Sequence, residues 1–427
     1  MRLLVSCIPY DGGKSGISVY VREVVRALRK QGHSLTLLCE PGEGKNFAFA
    51  TIGDRQLTTC PTSDDRRLSV LNSQPSTLNP QLSTHSAPAW TRRAIFSMLW
   101  HLFILPFWIR RHRSEFDGFV ICAANRRVCA WYPLPTVATI HDLANFHVPG
   151  KYSRLRMFYL AHILPFFAKR AQHLVSVSGA TKADMVKYWH CREEAVTVLY
   201  NGLSRPEARM ETGPAARNGQ DARCPRERSR ETRDPTSSTT LNPSTINYQL
   251  STILYISRIE HPGKNHVRLI EAYSRLPRSL AEAHPLVIAG AEWKDAEVVH
   301  EAAAKSPHAD LIRFTGFVED VEPLWAEAGF YVFPSLFEGF GLSLIEAMAR
   351  GIPCACSGNG SLGEIAADVA ITFNPESVED IAEALARLLM ERTEDRKARI
   401  RCGMEHVKKF SWPEHAKGIA KLLECVA

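Results

Sequence analysis

Apolar and polar positions along this chain follow two rhythms. RLLVSCIPY (residues 2–10) is an apolar, β-branched run that reads as a buried first strand. In SVYVREVVRAL (18–28) the apolar residues Val21, Val24, Val25 and Leu28 recur at helical spacing. SLTLLC (34–39), after Gly32, is a second strand. The unit is β–loop–α–β with a glycine-rich turn at the helix start. The same alternation returns in TILYIS (252–257), FYVFPS (330–335), LSLIEAMAR (342–350) and IPCACS (352–357). Gly351 and Pro353 stop the helix between the last two strands. Alternating strands and helices over 1–203 and again over 252–404 predict an α/β protein with two parallel sheets, two Rossmann-like domains. A tail, 405–427, follows them.

Between these halves the rhythm disappears. Residues 204–251 are rich in Arg, Ser and Pro and read as a disordered surface insertion. STLNPQLST (76–84) echoes TTLNPSTINYQLST (239–252), so a second low-complexity insertion is expected over about 72–89. Two copies do not make a solenoid. The length of 427 residues leaves room for two full cores outside the insertions. The net charge of +7 is modest, and the densest Arg cluster sits in the insertion rather than on a patterned helix, which argues against a nucleic-acid binder. No run of about 18 uninterrupted apolar residues marks a membrane span. The N-terminus has no signal-peptide pattern, and the eleven cysteines are scattered without CxxC pairs. A cytoplasmic location with reduced thiols is expected.

Three places carry candidate chemistry. The first is the turn YDGGKSGISVY (10–20), whose Gly13-Lys14-Ser15 resembles the end of a phosphate loop. That motif needs a glycine where this chain has Ile8, so ATP hydrolysis is not expected. A glycine turn at a helix start still offers free N–H groups to an anion. The second is Glu338-Gly339-Phe340-Gly341-Leu342, after the strand FYVFPS, followed by Glu346 one turn into the next helix. Both carboxylates can border one crevice at the carboxyl edge of a sheet, where open α/β sheets bind ligands. Gly339 and Gly341 allow backbone to approach a ligand. Carboxylates beside helix N–H groups suit a polyhydroxylated, phosphorylated ligand such as a nucleotide sugar. Third, Arg258 ends the strand TILYIS and Lys264 follows in a Pro-Gly turn. Two fixed cations there can stabilise a diphosphate as it leaves. No Asp-x-Asp occurs, and His and Cys show no ligand spacing, so no metal is expected.

The string from Glu338 through Glu346 resembles the E-x7-E signature of the family 4 glycosyltransferases, retaining enzymes of the GT-B fold. The likeness extends to Ser15-Gly16-Ile17-Ser18-Val19-Tyr20, to Thr139-Ile140-His141-Asp142-Leu143, to Ile256-Ser257-Arg258 with Pro262-Gly263-Lys264-Asn265, and to Phe410-Ser411-Trp412. The family often has two glycines where this chain has Ser15 before Gly16. The resemblance implies two Rossmann-like domains facing across a cleft and a final helix crossing back to the first. It implies that Glu338 and His141 are the catalytic pair near the transferring sugar. Arg258, Lys264 and Gly16 would bind the donor diphosphate, and Glu346 the nucleotide ribose, with Gly339, Phe340, Gly341 and Leu342 around the donor. Retention is then front-face attack within an ion pair or, less in keeping with the family, a covalent step on Glu338.

The acceptor side is less specific. WTRRAIFSMLWHLFILPFWIRRHR (90–113) has an aromatic centre, Arg pairs at both ends and a kink expected at Pro106. KYSRLRMFYLAHILPFFAKR (151–170) is similarly basic and aromatic. The first stretch reads as a buried helix with snorkelling ends, or as an interfacial element on anionic lipid. The implied partners are a nucleoside-diphosphate sugar and a glycan or undecaprenyl-linked acceptor at the inner face of a bacterial plasma membrane, with no nucleic acid. A sugar-nucleotide epimerase of related fold and an inactive nucleotide-sugar-binding scaffold are the competing classes.

Overall fold

The computed structural model describes residues 1–8, 10, 15–39, 55–58, 98–148, 150, 152–204 and 251–426. The insertions expected at 72–89 and 204–251 lie outside these residues almost entirely, as does Gly12 to Lys14 of the glycine turn. Two compact units emerge. The first comprises Met1–Asn145, Tyr152–Ser204 and Phe410–Ala427, and the second Phe146–Lys151 and Arg205–Lys409.

In the first unit, strands β1 (Arg2–Ser6), β2 (Ser34–Cys39), β3 (Arg55–Thr58), β4 (Gly118–Ile121), β5 (Thr136–Ile140), β6 (His173–Ser176) and β7 (Val196–Val198) form one sheet in the order β3-β2-β1-β4-β5-β6-β7. Every pairing is parallel. Parallel strands are covered on both faces, which is why β4 and β5 are buried along their whole length. The helix Gly16–Lys30 starts at Ser15, whose hydroxyl accepts from Ser18 N–H, and gives way at Gly32, which has φ +83°. Its predicted stripe is the one that packs: Val21, Val24, Val25 and Leu28 are fully buried, together with Tyr20. Each such side chain contributes about 1.5–3 kcal/mol. The last helix, Trp412–Val426, belongs to this unit and packs on the first helix. Gly202 permits this, since a Cβ there would lie 2.1 Å from Trp412 N.

The two aromatic stretches depart from expectation. Pro106 cannot donate to Leu102 O, yet the helix does not break. It widens into a π turn over Trp100–Ile104, in which Leu105 N–H reaches Trp100 O, and continues as the α-helix Leu105–Arg111. Ala130 N–H, from a neighbouring loop, satisfies Leu102 O at 2.8 Å. Nor is the helix simply buried: Trp100, Leu102, Leu105 and Ile109 face the core, while Leu99, Phe103, Ile104 and Phe107 are exposed.

The second unit is a six-stranded parallel sheet of β8 (Thr252–Ile256), β9 (Leu286–Ala289), β10 (Ile312–Gly316), β11 (Ala328–Phe333), β12 (Cys354–Ser357) and β13 (Ile371–Phe373), in the order β10-β9-β8-β11-β12-β13. FYVFPS, LSLIEAMAR and IPCACS fold as read, with helix Leu342–Ala349 ending before Gly351 at φ +71°. In both sheets the connection direction reverses beside the strand that comes first in sequence, between β1 and β4 and between β8 and β11. Crevices form at the carboxyl ends of strands at such points. β8 leads into Arg258 and β11 into Glu338.

Candidate active site

The site in the second unit is assembled by two loops tied back to back. The turn after β8 runs through Arg258, Glu260 and the cis His261–Pro262 bond to Lys264 and Asn265. The loop after β11 runs through Ser335 to Glu338. Leu336 N–H donates to Gly263 O at 3.0 Å. Tyr255 Oη donates to Lys264 O at 2.8 Å and lies 3.1 Å from Ser335 Oγ. Asn265, in the left-handed region at φ 60°, donates from Nδ2 to Pro334 O and Pro375 O at 2.9 and 2.7 Å. Every one of these groups is buried or half-buried, so the turn is fixed relative to the sheet edge.

The result is an ion pair between residues far apart in sequence. Lys264 Nζ lies 2.6 Å from Glu338 Oε1, with the two side chains 19% and 17% exposed. They are reachable by solvent yet shielded enough for charge to matter. Arg258 Nη2 lies 3.3 Å from Glu260 Oε2, and its guanidinium sits 5.1 Å from the centre of the Trp293 ring. Glu260 is buried and Arg258 is not. The carboxylate thus orients the guanidinium without removing it from water. Gly290 lets this loop close on its neighbour, since a Cβ there would meet Ser257 O at 1.8 Å.

Glu338 is held at its backbone too, for Ser361 Oγ donates to Glu338 O at 2.7 Å. Gly341 has φ +99° and heads the helix Leu342–Ala349. A side chain there would strike Leu362 at 2.5 Å. Phe340 is buried, Gly339 and Leu342 are half-buried, and Glu346 is half-buried one turn into the helix. Glu346 is close enough to Tyr331 that its charge adds to the burial that keeps that phenol protonated. Lys264 and Glu338 are therefore brought together, while Arg258 stands on the same turn as Lys264 and pairs with Glu260, and Gly339, Phe340, Gly341, Leu342 and Glu346 lie on the loop and helix that follow Glu338.

His141 and Gly16 belong to the first unit. Gly16 is exposed as the first residue of its helix. His141 follows β5 and is buried. Its Nε2 donates to Cys122 O at 2.8 Å, which leaves Nδ1 of the neutral ring with its lone pair. Burial pushes its pKa down to about 4, against the hydrogen bond to Cys122 and the charge of Asp142. The ring packs edge-on against Tyr20, with centroids 4.5 Å apart. Tyr20 Oη in turn bonds Thr139 Oγ1 at 2.9 Å and His415 Nε2 at 2.8 Å, and His415 Nδ1 donates to Tyr200 O.

Several neighbours were not legible beforehand. Glu260 stands two residues from Arg258, a spacing that offers a partner but no proof of one. Trp293 has no local signal. His147 stacks on Phe337, with ring centroids 4.0 Å apart, because Phe146–Lys151 lies with the second unit rather than the first. Among the described residues no three His, Cys, Asp or Glu side chains are grouped to hold a metal ion.

With this geometry established, known proteins resemble the chain in both halves. Residues 14–205 match the model of Glycosyltransferase Family 4, and residues 239–405 that of Glycosyl transferases group 1. The chain belongs to the group 1 glycosyltransferases, on a two-domain α/β GT-B fold. It is 28% identical over 282 residues to the O-antigen chain mannosyltransferase B of Escherichia coli, covering 65% of this chain and 66% of that protein. It is 27% identical over 305 residues to the serotype-specific mannosyltransferase WbdA of Escherichia coli, covering 68% of this chain and 34% of that protein. The match thus spans just under two thirds of the first relative and about a third of the second. Among solved structures, Anabaena HepE in complex with UDP and glucose superposes with a TM-score of 0.64 at 16% identity, over the whole of both chains. A sucrose-phosphate synthase from Thermosynechococcus elongatus gives 0.66 at 15% identity, over 100% of this chain and 98% of that one.

Proposed function

We propose that this protein is a retaining, metal-independent hexosyltransferase of bacterial surface polysaccharide synthesis. It moves the hexose of a nucleoside-diphosphate sugar to a glycan or an undecaprenyl-linked glycan, and works in the cytoplasm at the inner face of the plasma membrane. The observation that carries this reading is the Lys264–Glu338 pair at 2.6 Å, with Arg258 on the same turn, at the sheet's reversal point. The likeness to two mannosyltransferases makes mannose the first sugar to test.

In this reading the bond between the sugar's anomeric carbon and the diphosphate breaks with its electrons passing to the phosphate oxygen. Arg258 and Lys264 stabilise the charge gained there, as fixed donors in a shielded site do. The acceptor hydroxyl attacks the same face, and its proton passes to the departing phosphate. Glu338 borders the sugar ring, Glu346 takes the ribose hydroxyls, and Gly339, Phe340, Gly341 and Leu342 shape the backbone around the donor. From the first unit we assign Gly16 to donor phosphate and His141 Nδ1 to a sugar hydroxyl. Because Nε2–H is committed to Cys122 and the ring stays neutral, His141 accepts a hydrogen bond rather than supplying a charge.

The test is transfer of labelled sugar from GDP-mannose, UDP-glucose and UDP-galactose to bacterial membrane lipid-linked glycans in EDTA. Acceptor-dependent transfer with retained anomeric configuration supports the proposal. Release of free sugar as an epimer, or activity only with added divalent metal, contradicts it.

A further inference from the structure

The chain carries a repeat that the transferase reading does not use. Residues 98–111, MLWHLFILPFWIRR, align without a gap on residues 157–170, MFYLAHILPFFAKR. Met98/Met157, Ile104/Ile163, Leu105/Leu164, Pro106/Pro165, Phe107/Phe166 and Arg111/Arg170 are identical pairs. The likeness is structural as well. Each copy has a five-residue π turn, Trp100–Ile104 and Tyr159–Ile163, running into a Leu-Pro α-helix. The burial of the two copies matches position by position from Phe103 to Arg111 and from His162 to Arg170. Leu105, Pro106 and Ile109 face inward, like Leu164, Pro165 and Ala168. Leu99, Ile104 and Phe107 face outward, like Phe158, Ile163 and Phe166.

Eight of the thirteen large apolar side chains exposed among the described residues belong to these stretches and the turn just before the second, including Phe107 at 64% and Phe166 at 55%. One loop joins the copies. Ala130 N–H bonds Leu102 O, Trp131 meets Phe107 edge-on at 4.5 Å, and Tyr132 Oη donates to Phe167 O at 3.2 Å. Neither copy contains Asp or Glu, and each ends in two basic residues. Arg170 lies 3.8 Å over the Phe166 ring, so cation and aromatic form one unit.

We infer that these are twin feet that seat the first unit on an anionic lipid bilayer, each inserting one phenylalanine with its flanking aliphatics and pairing its basic end with headgroup phosphates. Exposed aromatics beside cations with no acid between them fit a surface that is apolar within and negative at its rim. A second copy of the chain fits less well, because a twofold contact would set each basic rim against its own twin. Each copy keeps one helical face inward, Leu105, Pro106 and Ile109 in one and Leu164, Pro165 and Ala168 in the other, so Phe107 and Phe166 fall on the opposite, outward face. This inference rests on the inner-membrane placement in the proposed function, and vesicle flotation tests it without sugar transfer, so the two readings can fail separately.

The experiment is flotation of the full chain with phosphatidylglycerol-containing vesicles against pure phosphatidylcholine, at low and high salt. Phe107→Ser, Phe166→Ser and the double variant are compared, with thermal melts to check folding. The wild type floats with anionic vesicles only and is released by salt. Each single substitution lowers the partition coefficient about tenfold and the double about a hundredfold, as two independent insertions of buried apolar area would. Equal flotation of the double variant overturns the inference. So does no flotation of the wild type. Loss with one substitution but not the other overturns the pairing of the feet. A wild-type dimer that the double variant splits, without lipid binding, reassigns the face to self-association.

Discussion

The polar cluster of the first unit and the charged cluster of the second solve opposite problems. Tyr20, Thr139, His141 and His415 are buried, neutral and bonded to one another or to backbone. They fasten the C-terminal helix to the first, His415 bonding Tyr20 across 395 residues of sequence. Lys264, Glu338 and Arg258 are partly open and charged, and their geometry is fixed from behind by neutral groups such as Asn265 and Tyr255. Buried polar groups hold position because breaking one strands its partner. Half-exposed charges instead stay available to a ligand, at little gain to stability. Substitution should therefore hurt stability in the first cluster and chemistry in the second.

The largest effect tests the charged side. Lys264→Ala should lower transfer by about 100- to 1,000-fold, the loss found when one fixed donor to a developing charge is removed. Its melting temperature should stay close to wild type; a large drop in melting with transfer preserved would invert the comparison. Next comes the scaffold behind that site. Gly290→Ala places a Cβ 1.8 Å from Ser257 O, a clash with backbone that cannot be relieved by a rotamer. About 3 kcal/mol of destabilisation is expected, at the upper end of overpacking costs, read as a fall in the denaturant midpoint.

Tyr20→Phe probes the neutral cluster. It removes the hydroxyl shared by Thr139 and His415 and should cost about 1–3 kcal/mol. That is several degrees of melting temperature, with donor affinity unchanged. The smallest effect is in pH. Burial holds both His141 and His415 at about 4, below the value of about 6.5 they have when unfolded. Above about 6.5 both states are neutral and pH has no leverage through these rings. Between there and 4 the unfolded chain takes up protons that the folded chain refuses, so stability falls as pH falls. Each ring contributes at most about 1.4 kcal/mol per pH unit. Melts from pH 7 to pH 5 should show a shallower slope for His415→Gln than for wild type.

Where the sequence was readable, one local rule was enough. The stripe Val21, Val24, Val25 and Leu28, the runs TILYIS and FYVFPS, and the Gly351–Pro353 stop each depend on residues within one element, and each folds as its pattern implies. The loops bearing Lys264 and Glu338 were also visible, since residue type and spacing marked them. What could not be read depends on distant partners. Pro106 predicts a kink until Ala130 is seen to cap the orphaned carbonyl, and nothing local places Phe146–Lys151 with the second unit. The outward face of residues 98–111 was hidden for another reason. This run is apolar on both faces, so no polar stripe marks which side turns outward.

In the proposed reaction the Lys264–Glu338 pair and the neighbouring Arg258 receive the diphosphate of a sugar nucleotide. Calorimetric titration of GDP and UDP in EDTA, against the wild type, Lys264→Ala and Arg258→Ala, addresses this most directly. One nucleoside diphosphate should bind the wild type without metal, and each variant should weaken it about tenfold or more, the scale of losing one charge-assisted hydrogen bond. Binding of equal strength to all three proteins, or no binding of either nucleotide to the wild type, would contradict it.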